Sequence, residues 1–563
     1  MSYFAGVVEF GAAASLEQAL EPWLTESLRS EEAVTRNVPG AAVAYVDLGA
    51  FHEHALVADN LKLAVVAGHP LLGNDTASES RDGRRGVSAL QDEDDAILAA
   101  RLSDAHGVFA LAAFDSTSQT LTLASDRLGV RPIYWWSDGL RAVFSSRLSD
   151  VVEHPWVPVA LDERGLVETL SLGFALDRRT PYVGVSRIGP AEVVRLSRAG
   201  VRTIDWSTAV DPDRHTSDPT PELMVERLRA AVARRARPGR QATFLSGGLD
   251  SRVVSALVAE RESRIFSFNF SPPGSQDEVY AERFADVLGA AHVSGGQPPR
   301  PHWSQLMADA LAEVPELATH TQPVWSGDGG SVCLGWVYVT NEVVAAAERG
   351  DFPKLASLHL RDHSGRIPER DLLPEVYSRY QAGLEGGIVE LLNGYPDSDP
   401  VDRFFRFLVE NDQRRHLDRH FETLLQHRTE FWLPFFDAGV LEIALRTPPA
   451  RGRSHRFYSE WFELLGKDVR STPWQTYPGH VPCPIAEEGL SYQWAQVTRR
   501  DFDRGLGRDV LRLLLSGNLP GDVVRRRVVA TRAILHAGGF RDSGGLLSWL
   551  RSFGDYSNKA KSR

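Results

Sequence analysis

The sequence predicts an α/β protein of more than one domain: a strand-rich antiparallel first part, then a parallel α/β part that becomes mostly helical. Three observations carry this. Short apolar runs separated by turn formers recur through the first 200 residues. Strand–helix–strand–helix alternation with tight turns begins near residue 242. The chain has 563 residues, and at roughly 150 per domain that suggests about two to four domains.

In chain order, Leu16 to Leu28 reads as a helix. Strand-like runs follow at Ala41–Val46, Leu61–Val66, Gly107–Phe114, Leu121–Ala124, Ile133–Trp136 and Ala142–Ser145. Asp115-Ser116 and Ser137-Asp138-Gly139 supply turns between them. The spacing suggests two antiparallel sheets packed face to face. The stretch DPDRHTSDPTP, Asp211 to Pro221, reads as a linker between a domain at 1–210 and another at 222–563. Glu222 to Arg235 carries a helical stripe of Leu223, Val225, Leu228, Ala231 and Val232. Then come a strand at Ala242–Leu245, a helix at Ser251–Arg261, a strand at Ile265–Phe270 and a helix at Glu278–Leu288. From about Phe352 the pattern is mostly helical.

Composition excludes several classes. With 43% apolar and 24% charged residues, the chain is of ordinary globular type. Only Cys333 and Cys483 are cysteines, so a disulfide scaffold and a four-cysteine zinc site are ruled out. A formal charge of −12 argues against wrapping nucleic acid, and no nucleic-acid partner is expected. The N-terminus lacks the pattern of a signal peptide, and no window is apolar enough to span a membrane, so a cytoplasmic location is expected. Lysine occurs only at 62, 354, 467, 559 and 561, which leaves few for catalysis.

The strongest motif is Phe244-Leu245-Ser246-Gly247-Gly248-Leu249-Asp250-Ser251, at the junction of a strand and a helix. Adjacent glycines let the backbone approach a ligand closely, and the unpaired N–H groups of the helix start favour an anion. Ser246 and Ser251 add hydroxyl donors, and Asp250 is a candidate ligand for Mg2+ held against phosphates. The Gly-Lys-Ser/Thr ending of a Walker A loop is absent.

SGGLDS resembles the pyrophosphate loop of the asparagine synthetase family. Ser267-Phe268-Asn269-Phe270 is similar to that family's second strand beside the adenine, and Asp277-Glu278, Tyr280-Ala281, Leu288-Gly289 and His292 to the helix that follows. Ser326-Gly327-Asp328-Gly329-Gly330 resembles its second glycine loop. Glu430, Pro434, Phe435 and Asp437 resemble its E-x-R-x-P-F-L-D signature, with Trp432 where the arginine would stand. Upstream, Gly107-Val108-Phe109-Ala110 and Asp126 to Tyr134 resemble the core of class II glutamine amidotransferase domains. The resemblance implies a degenerate amidotransferase-like domain of the antiparallel sandwich type at 1–210 and an ATP-pyrophosphatase-type synthetase domain at 222–563. It implies ATP and Mg2+ as cofactors. It implies ATP and pyrophosphate contacts from Leu245, Ser246, Gly247, Gly248, Leu249, Asp250, Ser251, Phe270, Ser326 and Gly327. Glu430 is implied as a base.

Three positions depart from the family pattern. Ser2 stands where a class II glutaminase needs a nucleophilic cysteine, so no glutaminase activity is expected. Ser331 stands where the family usually has a metal-binding aspartate; Asp328 either substitutes as a ligand or bonds its own loop. The family's late lysine has no counterpart in Val469-Arg470-Ser471-Thr472, where Arg470 is a candidate charge donor, although a guanidinium is not equivalent to an ammonium. The segment Pro473 to Pro484, with Trp474, Tyr477, His480 and Cys483, reads as a Pro-shaped loop and a candidate substrate wall. Its YPGH-x-PCP string resembles lasso-peptide macrolactam cyclases.

That resemblance implies the following chemistry. The side-chain carboxylate of an Asp or Glu in a precursor peptide attacks ATP, giving an acyl-adenylate. The peptide's N-terminal amine then closes an isopeptide-linked ring and releases AMP. A precursor (core) peptide, a leader peptidase and a leader-recognition protein are the expected partners, and a deep peptide-sized cavity between the domains is expected. A β-lactam-forming synthetase, an ammonia-dependent asparagine synthetase and an inactive precursor-binding scaffold are the competing readings. Arg525-Arg526-Arg527 reads as a solvated helix face, and His416 with His420 as a polar helix face, not metal ligands.

Overall fold

The computed structural model describes residues 3–21, 33–51, 56–72, 94–207, 218–237, 239–261, 264–295, 303–317, 323–363, 367–397, 399–422, 429–492 and 503–561. Ser2 and most of the expected linker lie outside them. The chain divides into two compact units. The first comprises Met1–His154, Ile188–Thr340 and Leu408–Gln496; the second comprises Pro155–Arg187, Asn341–Phe407 and Val497–Arg563.

Within the first unit, two antiparallel sheets pack face to face. One runs in spatial order Tyr134–Ser137, Arg141–Ser145, Tyr3–Glu9, Ala41–Val46, Ala33–Val38. The other runs Gly200–Asp205, Glu192–Ser197, Thr120–Ser125, Phe109–Asp115, Lys62–Gly68, Leu56–Ala58. Ala41–Val46 is buried along its whole length because it lies between two neighbours and under the opposing sheet, which is why it reads as an unbroken apolar run. Edge strands such as Gly200–Asp205 are mostly exposed and polar, so periodicity does not reveal them. The helix expected over Leu16 to Leu28 is instead a single 3-10 turn at Glu17–Leu20 in its described part. Only Leu20 of that turn is buried, and the next described element is the strand Ala33–Val38.

The same unit holds a parallel sheet in the order Ala291–Ser294, Arg264–Asn269, Arg240–Phe244, Pro323–Trp325, Glu430–Trp432. From Arg240–Phe244 the chain builds first to one side and then to the other. The carboxyl ends of Arg240–Phe244 and Pro323–Trp325 therefore meet at the switch in strand order, where open α/β sheets bind ligands. The loops leaving these two strands are 245–248 and 326–329.

The second unit is predominantly helical. It contains Glu163–Leu172, Phe352–His363, Pro374–Gly394, Arg504–Leu515, Arg526–Ala537 and Gly544–Lys561. Trp549 stacks on Phe553 at 5.5 Å and donates its indole N–H to the Ser171 hydroxyl at 3.2 Å. Buried Glu168 accepts a fork from Arg179 at 2.9 Å. No described helix is long and apolar enough to cross a membrane. Arg525, Arg526 and Arg527 are exposed around the start of their helix.

Candidate active site

The phosphate loop is held by its own serines. The Ser246 N–H donates to Ser251 Oγ at 2.9 Å, the two hydroxyls lie 2.9 Å apart, and the Gly248 N–H donates to Ser246 Oγ at 3.2 Å. Leu245, buried, donates its N–H to the Phe268 carbonyl at 2.9 Å. The Gly247 N–H donates to Asp277 Oδ1 at 2.9 Å; a Cβ at Gly247 would fall 2.6 Å from the Asp277 Cα, so only glycine fits. The helix Leu249–Ala259 starts at Gly248 with no side-chain cap. No described group accepts the N–H of Leu249, Asp250 or Ser251. An uncapped helix start offers these donors and its positive dipole end to an anion.

The second glycine loop closes on that same helix start. A Cβ at Gly327 would lie 2.4 Å from the Ser251 nitrogen, and one at Gly330 would lie 2.5 Å from the Asp250 carboxyl carbon. Both positions are glycine because backbone there touches backbone or the Asp250 carboxyl. Asp250 Oδ2 accepts from the Ser331 N–H at 2.8 Å and its hydroxyl at 2.6 Å. Oδ1 is buried without a hydrogen bond, and the Tyr458 hydroxyl beside it is coupled electrostatically but makes no well-formed bond to it. Burial pushes the Asp250 carboxyl up to about 6, against the pull of Ser331, even though the residue as a whole is only half-buried.

The orphaned Oδ1 also tests the fit of a magnesium ion. Mg2+ commonly takes one or two protein carboxylates and completes its shell with phosphate oxygens and water. One free carboxylate oxygen beside an anion-binding loop fits that donor set. Asp328 does not share it: its carboxylate accepts from Ser326 Oγ at 2.5 Å, and its N–H donates back to the same oxygen at 3.2 Å. Among the described residues no group of three or more His, Cys, Asp or Glu side chains is placed to hold a metal by itself.

A third segment walls the site. The Gln475 N–H donates to the Gly247 carbonyl at 2.8 Å, laying the Pro473–Pro484 loop directly on the phosphate loop. A pocket of about 90 Å3 results, lined on one side by Ser246, Gly248, Leu249 and Asp250, and on the other by Gln475, Thr476, Tyr477, His480 and Val481. Asp277, Ser331 and His455 complete it. Because the loop is bonded down on the phosphate loop, this space is well below the roughly 300–1,000 Å3 of a typical ligand pocket.

The anchor of that wall is Arg252, which the sequence does not single out. Its guanidinium is fully buried and meets no carboxylate. It donates to the carbonyls of Thr472 at 2.7 Å, Pro473 at 2.6 Å and Val469 at 3.3 Å, and lies over the Phe284 ring at 4.6 Å. Burial pushes it down to about 10. Trp474 packs edge-on against Phe462, and its N–H reaches the buried Cys483 sulfur at 3.5 Å. Trp474 and Cys483 thus shape the loop without lining the pocket. Arg470, half-buried on the turn Lys467–Arg470, and Phe270, whose ring meets Phe244 at 6.2 Å, do not line it either.

Glu430 lies elsewhere. It starts the edge strand Glu430–Trp432, is fully buried, and both carboxylate oxygens accept the Arg131 fork at 3.0 Å. Arg131 in turn sits over the Phe421 ring at 5.0 Å. The structure therefore does not bring the expected base to the phosphate loop; it shows a buried ion pair 299 residues apart in sequence. Trp432, in the expected arginine position, packs tilted against Phe51 and Trp325 and edge-on to His69. Burial alone would raise Asp437, but Arg235, His106 and Arg234 hold it well below the usual carboxylate range. His292 bonds Ser267 at 2.8 Å inside the fold. His420 is buried against Phe431, and His416 lies where side chains are not described.

The chain thus joins an antiparallel sandwich to a parallel sheet with an SGGLDS loop at its strand-order switch. Sequence comparison agrees. Residues 97–207 match the glutamine amidotransferase domain model, and residues 224–296 match the asparagine synthase model. The chain is 30% identical to Bacillus subtilis asparagine synthetase (glutamine-hydrolyzing) 3 over 190 residues, which is 32% of this chain and 30% of that protein. It is 26% identical to a putative glutamine-hydrolyzing asparagine synthetase of Mycobacterium bovis, covering 52% of this chain and 50% of that one. The chain is thus similar to glutamine-hydrolyzing asparagine synthetases over part of its length. The matches span only a third to a half of these relatives' own length. A glutamine phosphoribosylpyrophosphate amidotransferase from B. subtilis matches in structure over 71% of this chain and 94% of that one, at 11% identity. Its TM-score of 0.24 carries no argument.

Proposed function

We propose that this protein is an ATP-dependent, AMP-forming amide ligase of the lasso-peptide cyclase type. The observation that supports it is the Gln475–Gly247 bond, which places the cyclase-like loop on the phosphate loop so that one pocket is lined by both. In this reading the free N–H groups of Leu249, Asp250 and Ser251 hold phosphate, and Ser246 and Ser251 keep the loop in shape. A magnesium ion held through Asp250 Oδ1 would neutralise phosphate charge. An Asp or Glu side-chain carboxylate of a precursor peptide attacks the α-phosphorus of ATP, and pyrophosphate leaves. The peptide's N-terminal amine attacks the acyl carbon, the C–O bond to AMP breaks, and a ring closes through an amide. Alignment of two ends of one chain supplies much of the rate, since well-oriented intramolecular reactions gain about 7–11 kcal/mol. The pocket is too small for nucleotide and peptide together, so the 475–481 wall has to lift for substrates to enter.

The test is a substrate panel with ATP and Mg2+: a synthetic peptide library with free N-terminal amines and single Asp or Glu residues, aspartate with ammonia, and aspartate with glutamine. AMP and product mass are measured. AMP with a peptide lighter by one water supports the cyclase. Asparagine as the product would replace it with asparagine synthesis, the activity the relatives are named for. Peptide binding without AMP would make the chain an inactive scaffold.

A further inference from the structure

A chain of four side chains leads from the phosphate loop to the opposite wall of the pocket, and its hydrogen bonds have a direction. Asp250 Oδ2 is acceptor-only when ionised, so the Ser331 hydroxyl must donate to it at 2.6 Å. With its proton spent, Ser331 Oγ accepts from His455 Nε2 at 3.2 Å, so His455 carries its proton on Nε2. His455 Nδ1 is then a bare acceptor, and the nitrogen 2.8 Å from it, His480 Nδ1, must be the donor. His480 Nε2 is left with a lone pair and no partner among the described residues, on a residue that lines the pocket.

The arrangement is held firmly. Ser454 and His455 both take left-handed backbone conformations, φ 58° and 62°, which for non-glycine residues cost of order 1–3 kcal/mol each. The His455 ring lies where a Cβ on Gly335 would be, and the Val481 N–H bonds the Ser454 carbonyl at 3.1 Å. Tyr477 stacks on His455 at 5.8 Å and 16°. Burial pushes His455 down to about 3, so its proton stays on one nitrogen and the direction of the chain is fixed. The groups facing His480 are His455 and Tyr477, with Asp250 reached through Ser331.

We propose that His480 Nε2 is the general base of the amide-forming step, with His455 and Ser331 as positioning residues that fix its tautomer. This rests on the ligase reading above. As the amine nitrogen bonds to the acyl carbon and AMP leaves with the C–O electron pair, one N–H proton passes to Nε2, giving an imidazolium. Glu430, the family-implied base, has both oxygens engaged by Arg131, and His480 supplies the free lone pair at the pocket.

The test is His480→Asn, whose amide keeps a donor near the Nδ1 position but has nothing at Nε2, with His480→Ala as a second variant. The peptide library and ATP are the probes. The variants should retain most of the peptide-dependent exchange of pyrophosphate into ATP, which reports adenylation. Amide formation should fall about 100-fold or more, within the range of general base catalysis. Hydroxylamine, already unprotonated at neutral pH, should still capture the activated carboxylate as hydroxamate at near wild-type rate. Amide formation within about threefold of wild type would overturn the proposal. Proportional loss of exchange, hydroxamate and amide would show a purely structural role and would also overturn it. Wild type without peptide-dependent exchange would overturn the ligase reading, and this proposal with it.

Discussion

Replacing Arg252 with Met should detach the wall of the pocket while leaving the rest of the fold in place. Met fills a similar volume along the stem but donates nothing. The carbonyls of Thr472 and Pro473, both within buried residues, then lose their short charged hydrogen bonds. Leaving buried acceptors unpaired costs about 1–3 kcal/mol each, or about 2–6 kcal/mol for the two. Against that, the variant no longer buries a guanidinium held down to about 10, a relief of about 3 kcal/mol. The net change in global stability is therefore small, from a gain of about 1 kcal/mol to a loss of about 3 kcal/mol, and the larger effect is local. The Gln475–Gly247 bond depends on where residues 469–473 are held, and its loss is worth about 1 kcal/mol, near fivefold in affinity for a nucleotide bound beneath it. Hydrogen exchange should show faster exchange at the Gln475 amide, and calorimetric titration with ATP and Mg2+ should show weaker binding. Arg252→Lys should fall in between, since an ammonium lacks the planar fork. Unaltered exchange at Gln475 and unaltered ATP affinity in Arg252→Met would refute the anchoring role.

Three other outcomes follow from the same geometry. In chelator, Asp250→Asn should stabilise the protein at neutral pH by about 3 kcal/mol and abolish turnover, because the native carboxyl is raised to about 6 by burial. The folded state binds more protons than the unfolded between about pH 4 and 6, so wild-type stability should decline as pH rises through that window, and thermal melts of the pair should converge near pH 4. Ser331→Asp places a second carboxylate about 4 Å from Asp250, a repulsion of about 4 kcal/mol at an effective dielectric of 20. Its melting temperature should drop in chelator and recover with Mg2+. For the Arg131–Glu430 pair, Arg131→Met or Glu430→Gln alone should cost about 3–5 kcal/mol, and Arg131→Met with Glu430→Leu together much less than the sum, by denaturant melts.

Much of the architecture was legible because the signals are local. SGGLDS falls at a strand–helix junction, and the buried strands of the sandwich read as short apolar runs with turn formers between them. Exposed edge strands such as Gly200–Asp205 left no periodicity to read. At the site, Ser246, Asp250, Tyr477 and His480 are drawn together from separate motifs. The residues that reasoning missed act through long-range partners. Arg252 sits in a helix where an arginine ordinarily faces water, and only the fold shows three carbonyls waiting for it. His455 carries no motif, and its role depends on Ser331, 124 residues away. Glu430 was read from a signature, but its partner Arg131 lies in the sandwich and is invisible to any local window. The doubled glycines of the second loop did carry a signal: Gly327 and Gly330 are where the Leu249–Ala259 helix start must be approached most closely.

The central claim is that the pocket beside Ser246, Gly248 and Asp250 activates a peptide carboxylate as its adenylate. Exchange of labelled pyrophosphate into ATP measures that step directly, apart from ring closure. With ATP, Mg2+ and the peptide library, label should enter ATP only when an Asp or Glu side chain is present, and Asp250→Ala should abolish it. Exchange independent of the carboxylate, or cleavage of ATP to ADP and phosphate, would contradict the account.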